Sequence, residues 1–221
     1  TSLTVEIMMR TFSCDIETDG IEATRVWCVA VQDIYTEETQ VFYESKDFNE
    51  WIDSQTLVFH NGIAFDIPVL AKIWGTDFSG TTIEDTLILS QLDSPRREGG
   101  HSLANWGEYL GYPKGDHEDW SKLSDEMVEY CLRDVEITTK VYKLMKQKRL
   151  SEDAKQLEYA TKRHCSWQER TGWLFDERGA IEILQQVNDD LRNAEEEVHK
   201  TFKPLPVWKS KTPVKNRFKK D

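Results

Sequence analysis

Short runs of alternating or continuous apolar residues fill the first third of the chain. Arg10 to Ile16, Val26 to Asp33 and Thr39 to Tyr43 are rich in Val, Phe, Cys and Thr and are separated by the turn-forming stretches Asp19-Gly20 and Tyr35 to Thr39. They predict three sequential antiparallel strands. Asp47 to Ser54 predicts a short helix, Thr56 to His60 a buried strand, and Ile67 to Trp74 a helix entered through Asp66 with Pro68 in its first turn. Beyond residue 74 the pattern is mostly helical. Leu103, Trp106, Gly107 and Leu110 share one face of a segment that closes at Gly111. From Ser124 to Leu150, Met127, Val128, Cys131, Leu132, Val135, Thr138, Val141, Tyr142 and Met145 recur at helical spacing, with acids at the start and Lys and Arg at the end. Ser151 to Thr171 and Asp176 to Thr201 predict two more helices, joined through Gly172-Trp173.

At 221 residues the chain is long enough for one buried core and an appendage. With 38% hydrophobic and 31% charged residues it is neither disordered nor fibrous, and no apolar run reaches the ~18 residues of a membrane span. The opening residues lack the pattern of a signal peptide. Cys14, Cys28, Cys131 and Cys165 are scattered, with no pairing or zinc-site spacing, which predicts reduced core thiols in an intracellular protein.

The net charge of -12 is a sum over two unlike regions. Residues 200–221 carry eight Lys or Arg and one acid, which leaves 20 basic and 39 acidic residues in 1–199. Half of the six prolines, Pro204, Pro206 and Pro213, lie in this basic end, which therefore reads as a linker or unfinished loop. An acidic body suits a carboxylate-rich metal site or a well-solvated surface.

The informative acids come in order. Asp15 and Glu17 are two apart in the first strand, so both leave the same face of the sheet. Asn61 to Asp66 follows the strand Thr56 to His60, where open α/β sheets hold their ligands, although Asp66 also fits a helix cap. Tyr130 and Asp134 stand four apart on one face of the long helix. Brought within ~5 Å, such carboxylates repel by about 3 kcal/mol per pair at an effective dielectric of about 20, so the cluster calls for divalent cations. Oxygen ligands point to magnesium or manganese, and two such ions form a clamp for in-line attack on a phosphodiester.

The segments Asp15-Ile16-Glu17-Thr18-Asp19-Gly20-Ile21, Asn61-Gly62-Ile63-Ala64-Phe65-Asp66 and Tyr130-Cys131-Leu132-Arg133-Asp134 resemble, in order and spacing, the three exonuclease motifs of the DEDD superfamily. Glu129 stands where the histidine subclass carries its His, so Tyr130 marks the tyrosine subclass. His60 to Leu70, Glu84 to Leu92 and His101 to Gly111 resemble the proofreading domain of phage-type family A DNA polymerases, and the resemblance covers about residues 10–200.

The resemblance implies an α/β, ribonuclease-H-like mixed sheet flanked by helices over 1–150. A helical pair at 151–201, similar to the base of a polymerase thumb, and the basic tail 202–221 would follow. His164 to Asp176 resembles the entry into that thumb. The implied activity is metal-dependent hydrolysis of DNA from its 3′ end, releasing nucleoside 5′-monophosphates, in the cytoplasm or in a host's cytoplasm for a phage chain. Asp15 would contact both divalent cations, Glu17 and Asp134 the one that activates water, and Asp66 the second through water. Glu17 and Tyr130 would hold the attacking water, Ile21 would wedge the terminal bases apart, and Asn61 and Phe65 would line the single-strand pocket. For Ile21 and Phe65 plain core packing is the alternative, and Asp85 reads as a helix cap or support rather than a ligand. His101 reads as a structural histidine at a helix start.

No segment fits a polymerase active site, so a polymerase portion, encoded elsewhere or removed, is the implied partner beside DNA; a stand-alone nuclease is the other reading. The basic tail suits DNA phosphates or that absent portion. Two alternatives are an RNA 3′ exonuclease of the same superfamily and a catalytically silent DNA-binding or polymerase-docking module.

Overall fold

The computed structural model describes residues 10–203. Five strands, β1 (Thr11–Thr18), β2 (Val26–Asp33), β3 (Thr39–Phe42), β4 (Thr56–Phe59) and β5 (Thr82–Asp85), form one mixed sheet in the order β3-β2-β1-β4-β5. The first three strands pair antiparallel, whereas β4 and β5 join parallel to β1 and to each other. The α/β class and ribonuclease-H-like sheet predicted from the motifs are therefore found. Seven helices accompany it among the described residues: α1 (Ser45–Trp51), α2 (Asp66–Ile73), α3 (Thr86–Asp93), α4 (Leu103–Tyr109), α5 (Asp125–Lys146), α6 (Glu152–Thr171) and α7 (Glu177–Thr201).

Strand β1 explains why the sheet can carry acids. Phe12, Cys14 and Ile16 point into one hydrophobic cluster with Phe48, Leu57 and Leu70. The alternate residues Ser13, Asp15 and Glu17 face α5, where the Ser13 and Thr139 hydroxyls share a hydrogen bond of 2.7 Å. A second cluster, including Val58, Ile88, Trp106, Ile137, Val141 and Tyr159, closes the opposite side. Helix α5 starts where its sequence predicts, with the Ser124 hydroxyl accepting from the Met127 amide.

Three expectations need correction. The first strand does not stop at Ile16 but runs through Thr18, so Glu17 lies within the ladder opposite Cys28. Strand β5 interrupts the mostly helical pattern expected beyond residue 74; Thr-Ile-Glu-Asp is a poor strand pattern that forms because the free edge of β4 supplies its hydrogen bonds. Of the four thiols, Cys14, Cys28 and Cys131 are buried but Cys165 is exposed on α6.

The chain divides into two compact units, the first ending at Thr171 and so including α6. The reason lies in the first turns of α6. Lys155 Nζ sits 3.1 Å from Glu84 Oε1, and the Tyr159 hydroxyl donates to Glu84 Oε2 at 2.6 Å, fastening the helix to β5. The second unit, from Gly172, contains α7, capped by Asp176 on the Gly179 amide. Beyond Lys203 the basic tail lies outside the described residues.

Candidate active site

Five elements converge on one cavity of about 560 Å³: β1, the loop between β1 and β2, the turn between β4 and α2, the loop between α4 and α5, and α5 itself. Every residue singled out from the motifs lines it: Asp15, Glu17, Ile21, Asn61, Phe65, Asp66, Tyr130 and Asp134.

Asp15 and Glu17 reach it from the α5 face of β1. Their carboxylates and the Cys131 thiol lie within 4.8 Å of one another. Cys131 lies one residue beyond Tyr130 and escapes a search for acids. Burial pushes its thiol well above the usual range, so it stays protonated and donates to the Asp15 carbonyl at 3.5 Å and carboxylate at 3.6 Å. The thiol is thus a support for Asp15.

The second wall is the turn Asn61–Phe65. Asn61 has φ 66°, and at Gly62 a Cβ would collide with the Phe59 side chain, so the backbone folds tightly off the end of β4. Asp85 holds this turn from below: its carboxylate accepts from the amides of Asn61 at 2.9 Å, Ile63 at 3.2 Å and Leu87 at 3.0 Å. It serves as a cap for α3 and as a support, as its sequence context suggests. The alternative reading of Asp66 as a cap fails, because Phe65 is the N-cap and Asp66 is the first, buried residue of α2. His101, beside the Ser102 cap of α4, bonds the Ser90 hydroxyl at 2.6 Å and is structural. Ile21 is 91% exposed at the rim, which rules out core packing, whereas Phe65 both lines the cavity and packs on the core.

From α5, Asp134 enters nearly buried and Tyr130 half-buried. Six further residues line it, Ile16, Thr18, Gly20, His60, Lys114 and Trp120, and of these Lys114 and Trp120 lie outside the motif segments. Burial pushes His60 down to about 4, leaving it neutral. Trp120 packs edge-on to Tyr130 at 5.7 Å, and its carbonyl accepts from the Trp27 indole. Lys114 Nζ lies 2.5 Å from Asp134 Oδ2. Nothing in the local pattern marks Lys114 and Trp120, because only the folded chain brings their loop to the acids.

Electrostatics show how crowded the acids are. Burial, then Asp134, Asp66 and Glu17, hold Asp15 well above the carboxylate range, with Lys114 opposing. Burial, then Asp134, lifts Glu17 to about 9, and burial lifts Asp66 to about 7. Asp134 is raised by burial against the pull of Lys114. Asp134 Oδ1 is buried without any hydrogen-bond partner. An orphaned carboxylate oxygen among mutually repelling acids is the donor set of a hard divalent cation.

A scan against protein-family models finds no match. The DNA-directed DNA polymerase of Escherichia phage T7 is 25% identical over an alignment that takes in 78% of this chain, and the chain spans only 34% of that relative's length. Among solved structures, Brucella melitensis NrnC with bound Mg2+ shares 22% identity at a TM-score of 0.58, over 75% of this chain and 88% of that one. Escherichia coli RNase D, an exoribonuclease, shares 19% at a TM-score of 0.50, over 70% of this chain and 45% of that one. The sheet topology and these likenesses show the fold of the DEDD 3′–5′ exonuclease domains that the ordered motifs resemble.

Proposed function

We propose that the cavity hydrolyses the terminal phosphodiester of single-stranded or frayed DNA from the 3′ end and releases nucleoside 5′-monophosphates, as the proofreading part of a polymerase or as a nuclease in its own right. The observation that carries this reading is the meeting of four carboxylates and Tyr130 around one opening, with Asp134 Oδ1 left unpartnered. Asp15, Glu17, Asp66 and Asp134 would hold two magnesium or manganese ions, which supply an acidified water and neutralise the leaving oxygen. Glu17 would accept a hydrogen bond from the attacking water and the Tyr130 hydroxyl would orient it; burial pushes the Tyr130 phenol above its usual range, which makes it a poor base. Exposed Ile21 offers an apolar edge against the last base step, and Phe65 with Asn61 a face and an amide for the terminal nucleotide.

The phage polymerase likeness and the thumb-like segment His164 to Asp176 favour DNA over RNA. A 5′-labelled single strand incubated with manganese, beside its RNA counterpart, tests both points. A ladder shrinking from the 3′ end, faster on DNA and abolished by EDTA and by Asp15→Ala, is the expected result. Faster RNA cleavage overturns the substrate assignment, and metal binding without cleavage of either strand overturns the enzyme reading in favour of a docking module.

A further inference from the structure

The sheet has two outer edges, and the chain treats them differently. At β5 the edge is covered by α6: Lys155 and Tyr159 hold Glu84, and the Asp85 amide donates to the Tyr159 hydroxyl at 3.4 Å. At the other edge β3 pairs with β2 alone. Which of its backbone groups point outward follows from the hairpin. The Asp33 amide donates to the Glu38 carbonyl at 2.9 Å, and facing residues of an antiparallel ladder alternate between bonded and unbonded pairs. Gln40 and Phe42 therefore turn their amides to Val31 and Val29 of β2, whereas Thr39 and Val41 turn theirs away from it. Among the described residues neither outward amide has a backbone partner outside the ladder. Exposed edges are commonly blunted by Lys, by Pro or by a bulge. Thr39-Gln40-Val41-Phe42 carries neither residue, and its register against β2 is unbroken.

Beside this edge a groove of about 420 Å³ opens between β3 and α1. Phe42 and Trp51, ring centroids 5.1 Å apart, give it apolar surface, and Tyr43, Glu44, Asp47 and Glu50 line it as exposed residues. Lys46 meets only Glu50, at 3.8 Å. We propose that the open edge of β3 and this groove form a docking site for an extended, lysine- or arginine-bearing segment of a partner protein. The segment adds a strand against Thr39 and Val41 and rests its basic side chains on Glu44, Asp47 and Glu50. Main-chain hydrogen bonds supply the affinity, and the acids select the sign of the partner's charge. The same acids repel phosphates, so the occupant is polypeptide rather than nucleic acid. The site lies two strands from β1 and is independent of the exonuclease reading.

The probe is the synthetic peptide acetyl-Lys-Val-Lys-Val-Lys-Val-amide, titrated into the full chain and followed by calorimetry and by amide hydrogen exchange. Binding that weakens with salt and slows exchange at Thr39 and Val41 is the expected result. The Glu-Val counterpart should not bind. N-methylation of the peptide at alternate residues, and Asp47→Lys combined with Glu50→Lys in the protein, should each weaken binding about tenfold or more. Should that double variant misfold, Glu44→Gln with Glu50→Gln replaces it, since the Glu44 side chain makes no capping bond to α1. A wild-type chain that ignores the lysine peptide overturns the proposal. So does binding that survives both N-methylated registers, which is charge attraction without strand addition, or binding that survives the loss of the acids. Self-association in the ultracentrifuge that the same variants abolish makes a second copy the occupant and overturns the assignment to a partner protein.

Discussion

The Asp85 carboxylate takes the Asn61 amide at 2.9 Å, so a buried acid of β5 sets the turn that delivers Phe65 and Asp66 to the cavity. The same side chain also accepts from Ile63 and Leu87. Asp85→Ala leaves three amides without their acceptor and should cost about 4 to 5 kcal/mol, at about 1.5 kcal/mol for each hydrogen bond to a charged group. Urea unfolding checks this, and a loss below about 1 kcal/mol means the turn is held by something else.

Asp15→Ala and Tyr130→Phe separate the carboxylates from the phenol. Removing Asp15 should lower cleavage by about three orders of magnitude or more, whereas losing a hydroxyl that only orients water should cost about ten- to a hundredfold. Single-turnover assays at saturating manganese make the comparison. If Tyr130→Phe proves as inactive as Asp15→Ala, the phenol does more than orient.

The pH dependence follows from Glu17 at about 9 and Asp66 at about 7. A carboxyl with a raised value in the folded state keeps its proton there and sheds it on unfolding. Its stabilising contribution is complete below the unfolded value near 4 and is lost as the pH climbs through 7 and then 9. In EDTA the melting temperature should therefore fall between pH 5 and pH 9, and magnesium should flatten that fall. Magnesium affinity itself should rise over pH 7 to 9, as binding releases protons. A melting temperature in EDTA that rises across this range contradicts the crowding described for the acids.

Tyr159→Phe strips Glu84 Oε2 of the hydroxyl that donates to it at 2.6 Å. Since the hydrogen bond is buried and its acceptor charged, the expected loss is about 2 kcal/mol in chemical unfolding. Loss of protection in the amides of α6 should accompany it, because Tyr159 and Lys155 are what bring this helix onto β5.

How much of this was legible beforehand varies with the range of the interaction. Asp15 and Glu17 share a face because strand period is 2, and Tyr130 and Asp134 share one because helix period is near 3.6; both are local facts. Strand β5 escaped notice because Thr82–Asp85 has no strand pattern and exists only beside β4. The cap reading of Asp66 was reasonable from Asp before Ile-Pro, yet the helix begins one residue earlier than such a cap requires. Cys131 and Lys114 carry no signal at all in their own segments. Their importance arises from Asp15 and Asp134, which lie 116 residues away in the first case and come from a different element in the second.

Placing the first two acids on β1, the central strand of five, has a consequence for motion. The strand is bonded on both edges from Thr11 to Ser13 and to β2 alone at Asp15 and Glu17, where α5 covers it, so amide exchange along β1 should be much slower than in the loops. Lys114 and Trp120, carried on a loop, can open far more often. The cavity thus combines a floor that keeps its spacing with a rim free to breathe, so that under the proposed function a strand end would enter and leave without disturbing the acids.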